Sequence, residues 1–126
     1  MSEESDMSIE EKTNPNLISL IKELRDQARE KEAPIWRDVA ERLEKSSKHW
    51  AEVNLSSIER NVEEGETIVV PGKVLGAGIL KKEVTVGAFK ASRSAEEGIT
   101  EAGGELLNLR ELAERKPKGS DLKIMG

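Results

Sequence analysis

The chain has 126 residues, a formal net charge of −5, no cysteine and only three aromatic side chains, Trp36, Trp50 and Phe89. These facts exclude disulfides, thiol nucleophiles and cysteine metal sites, and they leave room for one domain with a modest core. No apolar run approaches the about 20 residues that a membrane helix needs. The acidic opening "MSEESDMSIEEK" has none of the apolar stretch of a secretory signal, so a cytosolic protein is expected.

The charge is unevenly spread. Residues 1–12 carry five acids and one base and read as a disordered acidic tail. The remaining 114 residues hold 20 acids and 19 bases. Within them Thr67–Ala95 has five bases against Glu83 alone, and residues 115–126 have four bases against Asp121 alone. Residues 96–114 are the counterweight, with six acids and only Arg110. Local sign matters more than total charge where a surface meets a polyanion.

In chain order, "TNPNLISLIKELRDQAREKEA" predicts a helix with Asn14 as N-cap and Pro15 at the first helical position. Leu17, Leu20, Ile21, Leu24 and Ala28 form its apolar stripe, and it should fade near Lys31 because Pro34 follows. "PIWRDVAERLEK" predicts a second helix that buries Trp36, Val39, Ala40 and Leu43, with Arg37–Glu41 as an i,i+4 pair outside. "SSKHWAEVN" reads as an irregular linker. "SSIERNVEEG" reads as a short helix with a Ser56–Glu59 capping box and Gly65 past its end.

The pattern then changes to period two. "TIVVPG" and "EVTVGAF" predict strands, with a bend at Pro71–Gly72, a short strand at Lys73–Leu75 and a turn at Gly76–Gly78 that makes a hairpin. "SRSAEEGITEAG" predicts a helix with a Ser94–Glu97 capping box, ended by Gly103–Gly104. "ELL" is a brief strand, "NLRELAER" a helix capped by Asn108, and "DLKIM" a last strand. Helices first and mixed elements afterwards give an α+β class. Residues 13–126 form a single domain, helical over 13–65 and strand-rich over 66–126.

The glycine–lysine stretch fails the known phosphate loops. A P-loop needs a glycine five residues before Gly72–Lys73 and a Ser or Thr after it; Thr67 and Val74 stand there. A dinucleotide fingerprint starting at Gly76 and Gly78 needs a third glycine where Lys81 stands. The single histidine, His49, has no cysteine to activate, and one histidine cannot furnish a zinc site. No enzyme, cofactor, metal or small-molecule substrate is expected. The clustered bases fit phosphate contacts better. With so few aromatics to stack bases, the expected partner is a folded RNA backbone. An acidic, soluble protein-binding adaptor is the alternative.

"PIWRDVAERLEK", "AEVNLSSIER", "TIVVPGKVLGAGIL" and "VTVGAF" together resemble, in order and spacing, the family of large-subunit ribosomal protein eighteen-e, the archaeal and eukaryotic relative of bacterial large-subunit protein fifteen. The resemblance covers about residues 13–126, and the short C-terminus is similar to the archaeal type. It implies a structural constituent of the cytoplasmic large ribosomal subunit, bound to ribosomal RNA and neighbouring ribosomal proteins, with no membrane role. The implied fold is a set of N-terminal helices followed by an irregular strand–strand–helix superhelix. Carried onto this sequence, the implied RNA contacts are Arg37, Arg42, Lys45 and Lys48 around the second helix. Lys73, Lys81 and Lys82 follow on the glycine–lysine stretch, with Arg60 nearby. Local charge adds Lys90, Arg93, Lys116 and Lys118.

Overall fold

A computed structural model describes residues 14–45 and 47–126; the acidic segment expected as a tail at 1–12 lies outside the described residues. Helix α1 spans Pro15–Glu30 and begins as expected. Asn14 is extended, and its side-chain oxygen accepts from the N–H of Asn16 at 2.9 Å and of Leu17 at 3.4 Å. Pro15 sits where a missing N–H costs nothing. The helix ends in a left-handed turn: Glu32 has φ 52°, and the Ala33 N–H donates to the Ala28 carbonyl at 2.9 Å. That bond is the long one of a Schellman end. Helix α2, Pro34–Leu43, buries Trp36, Val39, Ala40 and Leu43, the stripe its spacing predicts.

The segment read as an irregular linker is more ordered than that. It holds a 3-10 turn at Ser47–His49 and then strand β1, Ala51–Asn54. Four residues are too few to announce a strand by periodicity, and β1 exists because β2 supplies its hydrogen bonds. Helix α3 follows at Leu55–Asn61, then β2 at Thr67–Leu75, β3 at Thr85–Ala91, α4 at Arg93–Glu101, β4 at Glu105–Asn108, α5 at Leu109–Arg115 and β5 at Leu122–Ile124. The mixture of helices and strands agrees with the expected α+β class.

The five strands form one sheet in the order β1–β2–β3–β4, with β5 also on β2, and every pairing is parallel. The expected hairpin is therefore wrong: β2 and β3 run in the same direction, from Thr67 opposite Thr85 to Val74 opposite Ala91. The chain from Gly76 to Val84 returns along the sheet without a helix. Nine residues reach about 30 Å when extended, enough to retrace a seven-residue strand of about 23 Å. What looked like a turn at Gly76–Gly78 is the start of this crossover.

The expected break at Pro71–Gly72 is instead a bulge inside one strand, and the register with β3 shifts between Val70 and Lys73. A proline fits there because a bulge spares it a ladder bond. At this point β2 also changes its partner on one edge, from β5 at Thr67–Val69 to β1 at Gly72–Leu75. Gly72 permits the close approach of β1: a Cβ on it would stand 2.1 Å from the Ala51 carbonyl oxygen.

Helices cover both faces of the sheet. One core packs α1, α2 and α5 against Val69 and Leu107, with Trp36 and Trp50 inside it. The other packs α3 and α4 against Ile68, Val70, Val74, Val86 and Ala88. Alternate β2 residues feed opposite cores, as strand geometry requires.

Two capping boxes move. At α3 the N-cap position is Asn54, so Ser56 lies inside the helix, and the Glu59 carboxylate accepts from the Lys81 N–H at 2.8 Å. At α4 the cap is Ser92, whose hydroxyl accepts from the Ala95 N–H at 3.2 Å, while Ser94 packs against Gly76. In both places a contact across the fold displaces a local reciprocal bond. The box at Asn108–Glu111 is present in full. On α2 the i,i+4 ion pair among the described residues is Asp38–Arg42 rather than Arg37–Glu41.

Candidate nucleic-acid interface

The fold first decides which cations are already engaged. Three arginines join separate elements through carboxylates. Arg25 on α1 grips Glu44 after α2 with two nitrogens, Nε to Oε2 at 3.0 Å. Arg110 on α5 reaches Glu23 on α1 at 2.7 Å. Arg115 at the end of α5 pairs with Glu105 on β4 at 2.7 Å. The hydrogen bond from Arg110, then that from Ser19, holds the Glu23 carboxyl below its ordinary range, and the hydrogen bond from Arg115 does the same for Glu105. The same contacts push the Arg25, Arg110 and Arg115 guanidiniums further up.

Lys82 is also engaged. Its ammonium donates to the Glu59 carbonyl at 2.6 Å and the Val62 carbonyl at 2.9 Å. Lys123 donates to the Asn61 carbonyl at 2.7 Å. Both lysines thus satisfy orphan carbonyls at the C-terminal end of α3, where the helix dipole favours cations. Lys81, the next residue, has an exposed side chain.

The loop that carries Lys81 is anchored at several points. The Ala77 N–H donates to the Asn54 side-chain oxygen at 3.3 Å, and the Ser56 N–H donates to the Ala77 carbonyl at 3.1 Å. Gly78, at φ 95°, lies so close to Ser56 that a Cβ would stand 2.5 Å from the serine Cβ. Lys81 is therefore presented on a fixed frame.

Lys73 and Lys90 are direct register partners on β2 and β3, as are Val74 and Ala91 beside them. Like charges placed directly opposite are destabilising. Glu52 is the partner of Lys73 on its other side, yet no ion pair closes between them. The Lys90 ammonium stands 5.9 Å from the Phe89 ring centre, near the outer limit of a cation–π contact.

Around α2 the expected residues separate. Arg37 is exposed in a groove with Arg25, Arg29 and Glu32. Arg42 is held by Asp38 at 2.9 Å and by the Gly126 carbonyl at 3.2 Å. Lys45 and His49 line a second groove with Asp38, Glu41, Arg42 and Glu52, so the signs there are mixed. Lys48 is exposed on the 3-10 turn, and Arg60 is exposed on α3. Arg93 pairs with Glu97 at 3.5 Å, with the arginine side chain 91% exposed. Lys116 and Lys118 lie on the turn after α5, beside Lys31 and Arg115 in a further groove.

No base-stacking platform is available on the tryptophans. Trp36 is fully buried, and its indole donates to the Lys116 carbonyl at 3.1 Å. Trp50 is buried against Phe89, ring centres 5.1 Å apart, and donates to the Leu43 and Lys45 carbonyls. Among the described residues no group of three His, Cys, Asp or Glu side chains is placed to hold a metal ion. No helix among them is long and apolar enough to cross a membrane.

A parallel sheet covered by helices, with both tryptophans buried and the described residues holding no metal-ligand cluster, defines the class as a structural α+β protein. Over residues 2–126 the chain matches, and belongs to, the family described as ribosomal protein 60S L18 and 50S L18e. It is a structural constituent of the large ribosomal subunit and not an enzyme. Relatives named large ribosomal subunit protein eL18 are similar to it over most of both chains. The one from Methanospirillum hungatei is 49% identical over 91% of this chain and 95% of its own. The one from Halobacterium salinarum is 51% identical over 90% and 97%, and that from Haloarcula marismortui 50% over 90% and 97%. All three come from archaea.

Proposed function

We propose that this protein binds folded large-subunit ribosomal RNA by touching its phosphate backbone, alongside neighbouring ribosomal proteins. The observation that carries this reading is the Lys73–Lys90 pair. Lys73 and Lys90 are register partners on adjacent strands with no ion pair to a described carboxylate on either, and a phosphate bound beside them relieves the crowding of like charge. Lys81, held on its anchored loop, extends the same kind of contact. Arg37, Lys45, Lys48, Arg60, Lys116 and Lys118 are further contacts on this reading. Arg42 and Arg93 serve it while keeping their carboxylate partners, and Lys82 serves it by holding Lys81 in place. Such contacts position a protein on RNA without reading sequence, which agrees with the inward-facing tryptophans.

The test is salt-dependent binding of the full chain to protein-free large-subunit ribosomal RNA, together with incorporation into large subunits in cells. Lys73→Ala with Lys90→Ala should lower the slope of log affinity against log salt by about 0.9, for the one phosphate the pair shares, while the protein melts no lower than before. An unchanged slope would remove this pair from the interface. A tagged chain that never sediments with large subunits would overturn the whole reading.

A further inference from the structure

The sequence places Lys31 between Glu30 and Glu32, where its charge cancels locally. The fold gives it different neighbours. The turn after α5 docks on the α1–α2 junction through three side-chain hydrogen bonds. The Gln27 amide donates to the Ala113 carbonyl at 2.9 Å and the Pro117 carbonyl at 3.0 Å. The Trp36 indole donates to the Lys116 carbonyl at 3.1 Å. Gly119, at φ 71°, packs so closely on Ile35 that a Cβ would stand 2.2 Å from its Cγ2. This docking brings Lys31 into one groove with Arg115, Lys116 and Lys118; Pro117 and Ser120 complete the lining, and no carboxylate takes part in it.

We infer that this groove is a separate seat for the RNA phosphate backbone, built by the junction of the helical N-terminal part with the last turn of the chain. This rests on the RNA-binding reading above and names a second contact region within it. Charge complementarity supports it: three ammonium groups and one guanidinium converge from segments more than 80 residues apart in the chain. Arg115 is held by Glu105, whereas the side chains of Lys31, Lys116 and Lys118 close no ion pair among the described residues. Arg37 lies across the junction, on the first turn of α2, in the neighbouring groove with Arg29. Glu32 lines that neighbouring groove, and Glu30 and Glu32 both flank Lys31 in the chain. Gln27 and Trp36 are positioning residues, because they fix the backbone that carries Lys116 and Lys118.

The experiment uses the full chain and protein-free large-subunit ribosomal RNA. Lys31→Gln with Lys118→Gln should lower the salt slope by about 1.8, with melting close to wild type, since both side chains are exposed and no carboxylate is added at the end of α1. Gln27→Ala leaves the net charge alone and should still weaken binding, by freeing the turn. In assembled large subunits, Lys31 and Lys118 should react slowly with an amine-acylating reagent. Wild-type slopes for the double variant, or undiminished acylation of both lysines in assembled subunits, overturn the inference. If Lys73→Ala with Lys90→Ala lowers the slope while the groove variant does not, the general RNA reading stands and only this seat falls. If the wild-type chain binds no large-subunit RNA and enters no large subunit, both readings fall together.

Discussion

Lys81 and Lys82 are adjacent and chemically identical, but the fold exposes the first and binds the second to the end of α3. Replacing Lys82 with Met keeps the aliphatic stem and removes the ammonium. Two hydrogen bonds at the C-terminal end of α3 are then lost, to Glu59 at 2.6 Å and Val62 at 2.9 Å. Bonds to a charged group are worth about 1.5–3 kcal/mol each when fully sheltered. Lys82 is only half-buried, so water recovers much of this, and a total loss of about 1–2 kcal/mol is expected. Lys82→Glu should cost more, about 2–3 kcal/mol, because a carboxylate then faces the negative end of the helix dipole. Lys81→Met should leave stability within about 0.5 kcal/mol, as exposed substitutions do, while weakening RNA binding. Urea unfolding followed by far-UV circular dichroism measures both, and salt-dependent RNA binding separates the roles. If Lys82→Met unfolds at the wild-type midpoint and lowers the salt slope, the cap assignment is wrong and Lys82 faces phosphate.

Glu32 holds a left-handed conformation at φ 52°, which costs a non-glycine residue about 1–2 kcal/mol. Glycine removes that strain, and its freer unfolded state offsets only part of the gain, so Glu32→Gly should raise stability by about 0.5–1 kcal/mol in urea unfolding; a lower midpoint would show that the Glu32 side chain contributes more than its backbone strain costs. Acid should weaken the bridges between elements. Hydrogen bonds from Arg110 and Arg115 hold Glu23 and Glu105 below the ordinary glutamate range, so their contribution is complete above that range and is lost as pH falls through their folded values. Their arginine partners stay charged throughout. These pairs are exposed and the loss is small, but Glu23→Gln should flatten the fall in melting temperature below pH 4.5. An identical fall in wild type and variant would show that the Glu23–Arg110 bridge does not couple α1 to α5.

What the sequence made legible was local. Asn14–Pro15 and Pro34 start helices by backbone chemistry, and the stripes Leu17–Leu24 and Trp36–Leu43 name the buried faces without knowledge of any partner. The Asn108–Glu111 box is legible for the same reason. The sheet topology was not. The glycines at 76 and 78 serve a hairpin or a crossover equally well, and only the anchoring of Ala77 to Asn54 and Ser56 selects the parallel return. That anchoring engages the Ser56 N–H and the Glu59 carboxylate, which a purely local reading assigns to a capping box. Among the candidate cations, sequence could not separate Lys81 from Lys82, nor see Lys31 past its acidic neighbours. Arg110 finds Glu23 across 87 positions, and Gln27 finds Pro117 across 90. No pattern within a short window carries such pairings.

The net charge of −5 fits RNA binding once charges are sorted by what they touch. Acids on α1, β4 and the segment after α2 are joined to Arg110, Arg115 and Arg25, so those carboxylates oppose the field of the cations they bind rather than that of an approaching phosphate. Further acids, Glu96, Glu97 and Glu101, sit on exposed positions of α4, whose buried residues pack in the core opposite Trp36 and α5. Glu97 and Glu101 line a groove with Gly76, Gly78, Ile79 and Leu80 of the anchored loop, whereas Lys31, Lys116 and Lys118 share the groove by α5 with no carboxylate in its lining. A phosphate within a Debye length, about 8 Å at physiological salt, responds to those neighbours and little to the rest. A chain that is acidic in total therefore still keeps local groups of cations, such as Lys31, Lys116 and Lys118, wherever its arginines have taken up the nearby carboxylates.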